Sequence, residues 1–141
     1  FTLKTDNGQD LNAYIIKPKD FDPTKKYPVL MYQYSGPGSQ TVSNSWHNSN
    51  DQWHMLLAQN GYLVVAVDGR GTGMRGTDFK KVTYLQLGKY EVEDQIASAK
   101  ALAKLPYVDA SRIGIRGGVM VVICRRMYCL KETMYSKWRL Q

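Results

Sequence analysis

Residues 112–117, with the sequence R-I-G-I-R-G, combine a short buried-strand pattern with a closing glycine. Hydrolytic enzymes hold a nucleophilic serine in such a setting, because a strand followed by a sharp turn between small residues leaves the serine side chain exposed. Here the serine is missing, since the chain continues as G-V-M-V-V-I-C over residues 118–124. The sequence therefore predicts the strand and turn of a nucleophile site without the nucleophile.

A second chemical motif is the G-x-G-x-x-G pattern of residues 71–76, which follows a strand-like segment. In dinucleotide-binding proteins these glycines open a helix whose first amides face a pyrophosphate. Residues 78–83 have only a weak helical pattern, and no acidic residue ends a second strand about 20 residues later. We therefore expect the glycines to shape a long loop, and we predict no cofactor. A nucleotide-dependent enzyme is the alternative, which calorimetry with NAD or FAD would test.

The remaining acid–base side chains are scattered along the chain. His47 and His54 are expected on a loop and a helix surface. Asp68 and the acidic residues of 91–94 are expected to be charges of a loop and of a helix start, where the helix dipole favours them. None of these side chains is predicted to act as a catalytic acid or base.

The net charge of +7 is unevenly distributed over the 141 residues. Residues 1–116 carry 14 Lys and Arg against 11 Asp and Glu, a difference of +3, whereas residues 117–141 carry 5 against 1, a difference of +4. Both signs alternate in the first part, so we predict no nucleic-acid binding. Cys124 and Cys129 have a spacing that fits no common zinc pattern, and we predict no metal site.

The elements that position these residues follow from hydrophobic patterns. Two strand patterns, at residues 2–5 and 11–16, flank an Asn-Gly pair, which favours a hairpin turn. Further strands are predicted at 27–32, 62–67 and 113–115, with helices through 53–57 and over 89–105. This alternation predicts an α/β fold with a mostly parallel sheet and an antiparallel N-terminal hairpin.

The apolar spacing of the second helix predicts its buried face, formed by Val92, Ile96, Ala99 and Ala103. The residues between 68 and 88 are expected to form a long loop. No run of about 20 apolar residues is present to span a bilayer. A strand pattern begins already at Phe1 and no signal-peptide pattern is visible, so we expect a piece of a longer protein.

Four separated segments agree with one enzyme family in order and spacing. They are Y-Q-Y-S-G-P-G-S-Q at 32–40, V-D-G-R-G-T-G at 67–73, E-V-E-D-Q at 91–95 and R-I-G-I at 112–115. Together they resemble the catalytic domain of the dipeptidyl peptidase IV branch of the prolyl oligopeptidase family, which includes bacterial prolyl tripeptidyl peptidases. The resemblance covers about residues 1–117 and implies the N-terminal part of an α/β-hydrolase peptidase domain.

The resemblance implies a serine-type exopeptidase that releases dipeptides or tripeptides from peptides with proline near the N-terminus. It assigns oxyanion stabilisation to Tyr34, whose phenol O–H would face the developing negative charge. The nucleophile, acid and base would all lie beyond Gly117 and are absent from this chain. Intact family members carry a β-propeller domain, missing here, and are often dimeric. They work outside the cytoplasm, in the periplasm, at the envelope or as secreted proteins.

The family continues after the last strand as G-W-S-Y-G-G-Y-M, where this chain has G-G-V-M-V-V-I. With suitable codons for residues 118–129 and one T inserted before them, the same letters encode W-S-Y-G-G-Y-M-S-S-N-V-L. Many third bases are free to vary, so part of the match is selected, but the tryptophan follows from the inserted base and the Gly118 codon. We therefore expect residues 118–141 to be an out-of-frame tail. The alternative is a genuine tail with a strand and a basic helix.

Two function classes follow. The first is a proline-specific serine peptidase by descent, in a chain that lacks its nucleophile and is inactive. The second is a non-catalytic module of the same fold that binds peptides or protein partners through the Tyr34 loop and Trp46 or Trp53. A general esterase is the nearest alternative among enzymes, because the fold alone does not fix the substrate.

Overall fold

A computed structural model of the chain describes residues 1–6, 8–45 and 51–118, without the side chain of Asp51. Within these ranges eight elements follow one another: β1 (Thr2–Lys4), β2 (Asp10–Ile16), β3 (Tyr27–Gln33), α1 (Asp51–Gln59), β4 (Leu63–Asp68), α2 (Thr77–Lys81), α3 (Lys89–Ala103) and β5 (Val108–Gly117). Residues 119–141 of the predicted tail 118–141, which include both cysteines, lie outside the described residues, as do Trp46 and His47.

The predicted N-terminal hairpin is confirmed. β1 pairs antiparallel with β2, with Thr2 opposite Asn12 and Lys4 opposite Asp10. The turn between the strands is closed by the Gly8 amide, which donates to the Thr5 carbonyl at 2.9 Å. The hairpin therefore adds an antiparallel margin to the sheet.

One five-stranded sheet has the order β1-β2-β4-β3-β5. β2 runs antiparallel to β4, whereas β3 is parallel to both β4 and β5. The expected α/β architecture, three parallel strands joined to an antiparallel hairpin, is confirmed. The carboxyl ends of β3, β4 and β5 consequently meet at one edge of the sheet.

The two faces of the sheet are covered by different helices. Successive strand residues point to opposite faces. On one face Met31 and Val65 pack in a cluster with Leu102 of α3. On the other face Tyr32 packs against His54 of α1. β4 is buried along its whole length because both of its faces are covered.

The buried face of α3 differs from the prediction. Val92 is buried as expected, and Ala99 and Ala103 are partly buried and pack against the core, whereas Ile96 is only partly buried. The fully buried positions include four polar residues: Glu91, Asp94, Gln95 and Ser98. This polar stripe faces the protein interior because its ion-pair and hydrogen-bond partners lie on β4 and in the loop that follows it. It also ends at Ala103, two residues before the predicted end.

Two further boundaries differ from the prediction. The expected long loop after β4 contains the five-residue helix α2. β5 begins at Val108 rather than Ile113, because it pairs with β3 from Tyr27 onwards. Within the described ranges, no helix is long and apolar enough to cross a membrane.

Candidate active site

The site lies at the edge of the sheet where the parallel strands end, the position at which open α/β sheets bind ligands. Tyr34 follows β3, Asp68 is the last residue of β4, and Gly117 is the last residue of β5. Gln33 is paired in register with Gly117. The register brings the Tyr34 loop next to the predicted nucleophile turn.

Tyr34 projects from the edge with 55% of its surface exposed. Its ring lies against Gly118: a Cβ added to Gly118 would be 2.6 Å from Cε2 and 2.7 Å from Cδ2 of the tyrosine. Real Cβ atoms essentially never come this close, so any residue other than glycine at 118 would shift the ring. The phenol that could stabilise an oxyanion therefore contacts the position that follows the strand.

The loop after Tyr34 is internally ordered. Ser39 donates to the Gly36 carbonyl twice, from its backbone amide at 3.0 Å and from its hydroxyl at 2.8 Å. Ser35 is buried and accepts a hydrogen bond from the Gln33 side-chain amide. These contacts make residues 36–39 a compact turn directly after the tyrosine.

Asp68 connects this loop to β4. Its carboxylate accepts the Thr41 amide at 3.0 and 3.1 Å, one distance to each oxygen, and the Val42 amide at 2.8 Å. The side chain is almost fully buried. Burial raises the pKa of Asp68, and the amides of Val42 and Thr41 oppose this shift. Sequence reasoning took Asp68 for an ordinary loop charge, and the structure corrects this.

Arg70 forms a largely buried ion pair at this edge. Its Nε lies 3.0 Å from both oxygens of Asp94, its Nη2 lies 2.7 Å from Oδ1, and its backbone amide donates to Oδ2 at 2.7 Å. Asp94 is completely buried. Glu93 adds a longer contact of 3.4 Å, and the guanidinium lies 4.5 Å from the Tyr90 ring centroid. Asp94 is thus a buried partner of the loop after β4, not only a helix-start charge.

Glu91 is also buried beside this pair. Its Oε2 accepts the Gly88 amide at 3.0 Å, which closes the start of α3. Its Oε1 accepts no hydrogen bond from the described residues. Burial raises the pKa of Glu91, with the Asp94 carboxylate adding to the shift, whereas the Gly88 amide and Arg70 lower it.

Amides of the glycine motif 71–76 donate hydrogen bonds to carbonyl groups of the protein's own backbone. The Gly71 amide donates to the Phe79 carbonyl at 2.9 Å, and the Gly73 amide donates to the Ser39 carbonyl at 2.8 Å. Gly71 has a φ of 96°, and a Cβ there would come within 2.7 Å of Thr83. The glycines are therefore used for close loop packing, and their amides do not form a phosphate cradle.

His54 does not lie on the helix surface, contrary to prediction. It is 1% exposed, and its ring lies 4.8 Å, edge to face, from the Tyr32 ring. Sequence reasoning missed this burial because a polar residue on an amphipathic helix is usually exposed. The neighbouring Trp53 is partly exposed and stacks with Arg116, whose Cζ is 3.9 Å from its ring centroid.

The structure therefore places Tyr34 beside the Gly117–Gly118 turn, with Asp68 holding the loop that follows the tyrosine, and it pairs Arg70 with Asp94 in the loop after β4. A signal for Asp94 existed in the sequence: polar residues 91, 94, 95 and 98 recur at helical spacing, as a buried face does. Within the parts of the chain described, no group of three or more His, Cys, Asp or Glu could hold a metal ion.

The fold and the site define an α/β-hydrolase domain. Residues 46–120 match the model of the prolyl oligopeptidase family. The chain belongs to this family.

Two curated fungal relatives are named probable dipeptidyl-aminopeptidase B. The protein of Trichophyton verrucosum is 48% identical over 118 residues, covering 83% of this chain, and that of Arthroderma otae is 50% identical over 118 residues, also 83%. The chain spans only 13% and 12% of these relatives.

Two solved structures have the same fold. Dipeptidyl peptidase 4 of Porphyromonas gingivalis is 52% identical with a TM-score of 0.83, over 88% of this chain and 17% of its own. A putative dipeptidyl aminopeptidase IV of Bacteroides ovatus is 38% identical with a TM-score of 0.83, over 92% of this chain and 19% of its own. The expected family and fold are thereby confirmed.

Proposed function

We propose that this chain derives from a proline-specific serine exopeptidase that releases dipeptides from peptide N-termini, and that the chain as written is inactive. The observation that carries the proposal is the register of the sheet, which pairs Gln33 with Gly117 and so places Tyr34 beside the end of β5. The names of the relatives favour dipeptide over tripeptide release.

The proposed chemistry needs two features at this edge. A serine alkoxide mounted after Gly117 would attack the peptide carbonyl and form an acyl-enzyme. The tetrahedral intermediate would develop negative charge on the carbonyl oxygen, and the Tyr34 hydroxyl, next to that mount, would donate to it. Both features converge on one side of the sheet, which supports a peptide carbonyl as the group bound there.

The inactivity follows from the residues that are present. Residues 118–124 contain no serine, and the last histidine of the chain is His54. In α/β-hydrolases the nucleophile precedes the acid and the base along the chain. His54 comes before β5 and is buried against Tyr32, so it does not fit the base position.

We further propose that residues 118–141 are read out of frame. The family match ends at residue 120, close to the point where the family's nucleophile motif is lost. Sequencing the encoding DNA across codon 117 tests this proposal. We expect the letters, read one base out, to encode W-S-Y-G-G. A DNA sequence without such an alternative frame contradicts it.

Activity is tested in two proteins. The 141-residue chain is expected to show no labelling by a fluorophosphonate probe, and labelling would contradict its inactivity. The full-length protein with the restored frame is expected to hydrolyse Xaa-Pro-p-nitroanilides. Its Tyr34→Phe variant should lose about 10²–10³ in kcat, the usual loss for one oxyanion donor. Hydrolysis of simple esters without cleavage of these substrates would favour the esterase alternative.

A non-catalytic binding module is the second candidate. Tyr34 is half exposed, and Trp53 with its stacked Arg116 lies partly exposed on α1. Exposed aromatic and arginine side chains are frequent anchors for protein partners. Calorimetry of the chain with proline-containing peptides tests this candidate, and binding that survives Tyr34→Ala would place the binding surface elsewhere.

For the intact protein we propose dimer formation, a β-propeller domain and a location outside the cytoplasm.

A further inference from the structure

The loop that follows Tyr34 is held to β4 by a single carboxylate. Asp68 accepts two consecutive amides, those of Thr41 and Val42, at 2.8–3.1 Å. Both oxygens of the carboxylate are used, and only 5% of the residue is exposed. A carboxylate that accepts backbone amides in a buried setting forms stronger hydrogen bonds than a neutral acceptor.

A second attachment lies close to the first along the chain. The Gly73 amide donates to the Ser39 carbonyl at 2.8 Å, and Ser39 closes the turn that begins at Gly36. On its other side Tyr34 follows Gln33, which is paired with Gly117 in the sheet. The tyrosine therefore lies between a fixed strand end and a loop fixed at residues 39, 41 and 42.

A buried aspartate needs a reason at this position. An asparagine of the same shape has one acceptor oxygen, and its NH2 group cannot accept an amide N–H. The asparagine oxygen at the Oδ2 position could still accept both amides, but only as a weaker, neutral acceptor. Its NH2 group in place of Oδ1 would face the Thr41 amide, so two donors would oppose each other, and the site therefore favours a carboxylate.

We propose that Asp68 is a positioning residue for Tyr34, which holds the loop 39–42 so that the tyrosine stays beside the end of β5. Its catalytic meaning rests on the proposed function of Tyr34. The positioning itself is a property of this chain and is measurable without any peptidase activity.

The test uses the 141-residue chain with 3-fluorotyrosine incorporated at position 34. In Asp68→Asn we expect the 19F resonance of residue 34 to shift or broaden, and the amides of Thr41 and Val42 to exchange about tenfold faster. Asp109→Asn is the matched control, because Asp109 also accepts a backbone amide, that of Ser111 at 3.0 Å, near the opposite end of β5. It should leave the resonance unchanged. An unchanged resonance with faster amide exchange would overturn the proposal.

A second variant acts on the donor instead of the acceptor. Val42→Pro removes the amide that lies closest to Asp68 and leaves the carboxylate in place. It should change the same 19F resonance, which keeps the test decisive if Asp68→Asn does not fold. A resonance that Val42→Pro leaves unchanged contradicts the proposal as well.

The catalytic consequence is measured in the frame-restored full-length protein. Asp68→Asn should lower kcat about tenfold with little change in KM, since a misplaced Tyr34 hydroxyl stabilises the transition state less. In a Tyr34→Phe background the same substitution should cost nothing further, because the residue acts through the tyrosine. An equal loss in both backgrounds overturns the proposal. If the protein shows no peptidase activity at all, the proposed function fails, and the 19F measurement still decides the positioning role.

Discussion

The two ends of the parallel strands are stabilised by different kinds of interaction. At the carboxyl ends, buried charges and backbone amides hold the loops: Asp68 binds the Tyr34 loop, and Arg70 pairs with the fully buried Asp94. At the amino ends, aromatic rings pack together. Phe21 lies 5.4 Å from Tyr27 and 5.2 Å from Tyr107, measured between ring centroids.

The amino end relies on apolar packing in addition to hydrogen bonds such as that from the Asp22 amide to the Tyr27 hydroxyl at 2.9 Å. Lys17 covers the aromatic cluster with its ammonium 4.4 Å from the Phe21 centroid, and Phe21 packs against the main core. Apolar packing tolerates exchange of similar side chains. Buried charge pairs do not, because losing one partner leaves the other unsolvated. The difference shows that the end carrying the candidate site depends on a few specific polar contacts.

The largest effect is expected for Arg70→Ala. The substitution leaves the completely buried Asp94 without its cation, and such a loss costs about 3–5 kcal/mol in the free energy of unfolding. Urea denaturation of the chain measures it. In the double variant Arg70→Ala, Asp94→Ala, the loss should be smaller than the sum of the two single losses. Additive losses would mean that the pair is not coupled.

The next effect concerns the amino end. Phe21→Ala removes a partly buried ring from the aromatic cluster and should cost about 2 kcal/mol, below the range for a fully buried aromatic residue. Phe21→Leu keeps most of the apolar volume and serves as the matched control, with a smaller loss. A loss from Phe21→Ala larger than that from Arg70→Ala would reverse the comparison between the two ends.

Much of the fold is predictable because its signals are local. The Asn-Gly pair specifies the hairpin turn, and the apolar runs of β3 and β4 specify buried strands. The predicted buried face of α3 is incomplete, because the partners of its buried polar residues are distant along the chain. Arg70 lies 24 residues before Asp94, and the Val67 carbonyl lies 28 residues before its donor Gln95. Apolar periodicity cannot reveal such pairs.

The candidate site is predictable only in part. The family resemblance singles out Tyr34, but its contact with Gly118 depends on the register of β3 and β5. Asp68 looks like any loop aspartate until the loop 41–42 is folded over it. His54 is buried because its ring packs edge to face against Tyr32, on the face of the sheet that α1 covers. Each of these contacts depends on the tertiary structure and produces no recognisable spacing pattern in the local sequence.

A smaller effect, of opposite sign, is expected for Glu91→Gln. The amide oxygen can still accept the Gly88 amide, and the buried carboxylate charge beside Asp94 is removed. Because the folded-state pKa of Glu91 is raised, the wild type loses stability as the pH rises from the unfolded value of 4.5 through the folded pKa. The variant should therefore gain about 1 kcal/mol at pH 7 and little at pH 4.

Urea denaturation at both pH values measures the Glu91→Gln difference. Glu93→Gln is the matched control, since Glu93 lies two residues on in the same helix and its side chain is 38% exposed. It should show a much weaker pH dependence. A Glu91→Gln variant that is less stable at pH 7 than at pH 4, relative to wild type, would show that the carboxylate charge is needed at the carboxyl end.

The smallest effect is expected for the exposed ion pair between Lys104 and Asp6. Their charged atoms are only 2.8 Å apart, about as close as those of Arg70 and Asp94, but both side chains are about two-thirds exposed, at 65% and 64%. Water solvates each charge when the other is removed, and holding two long side chains in one geometry costs entropy. Lys104→Gln should therefore leave the urea midpoint unchanged within error. A measurable loss would mean that distance, not burial, ranks the ion pairs of this chain, and the contrast drawn from Arg70 would then no longer hold.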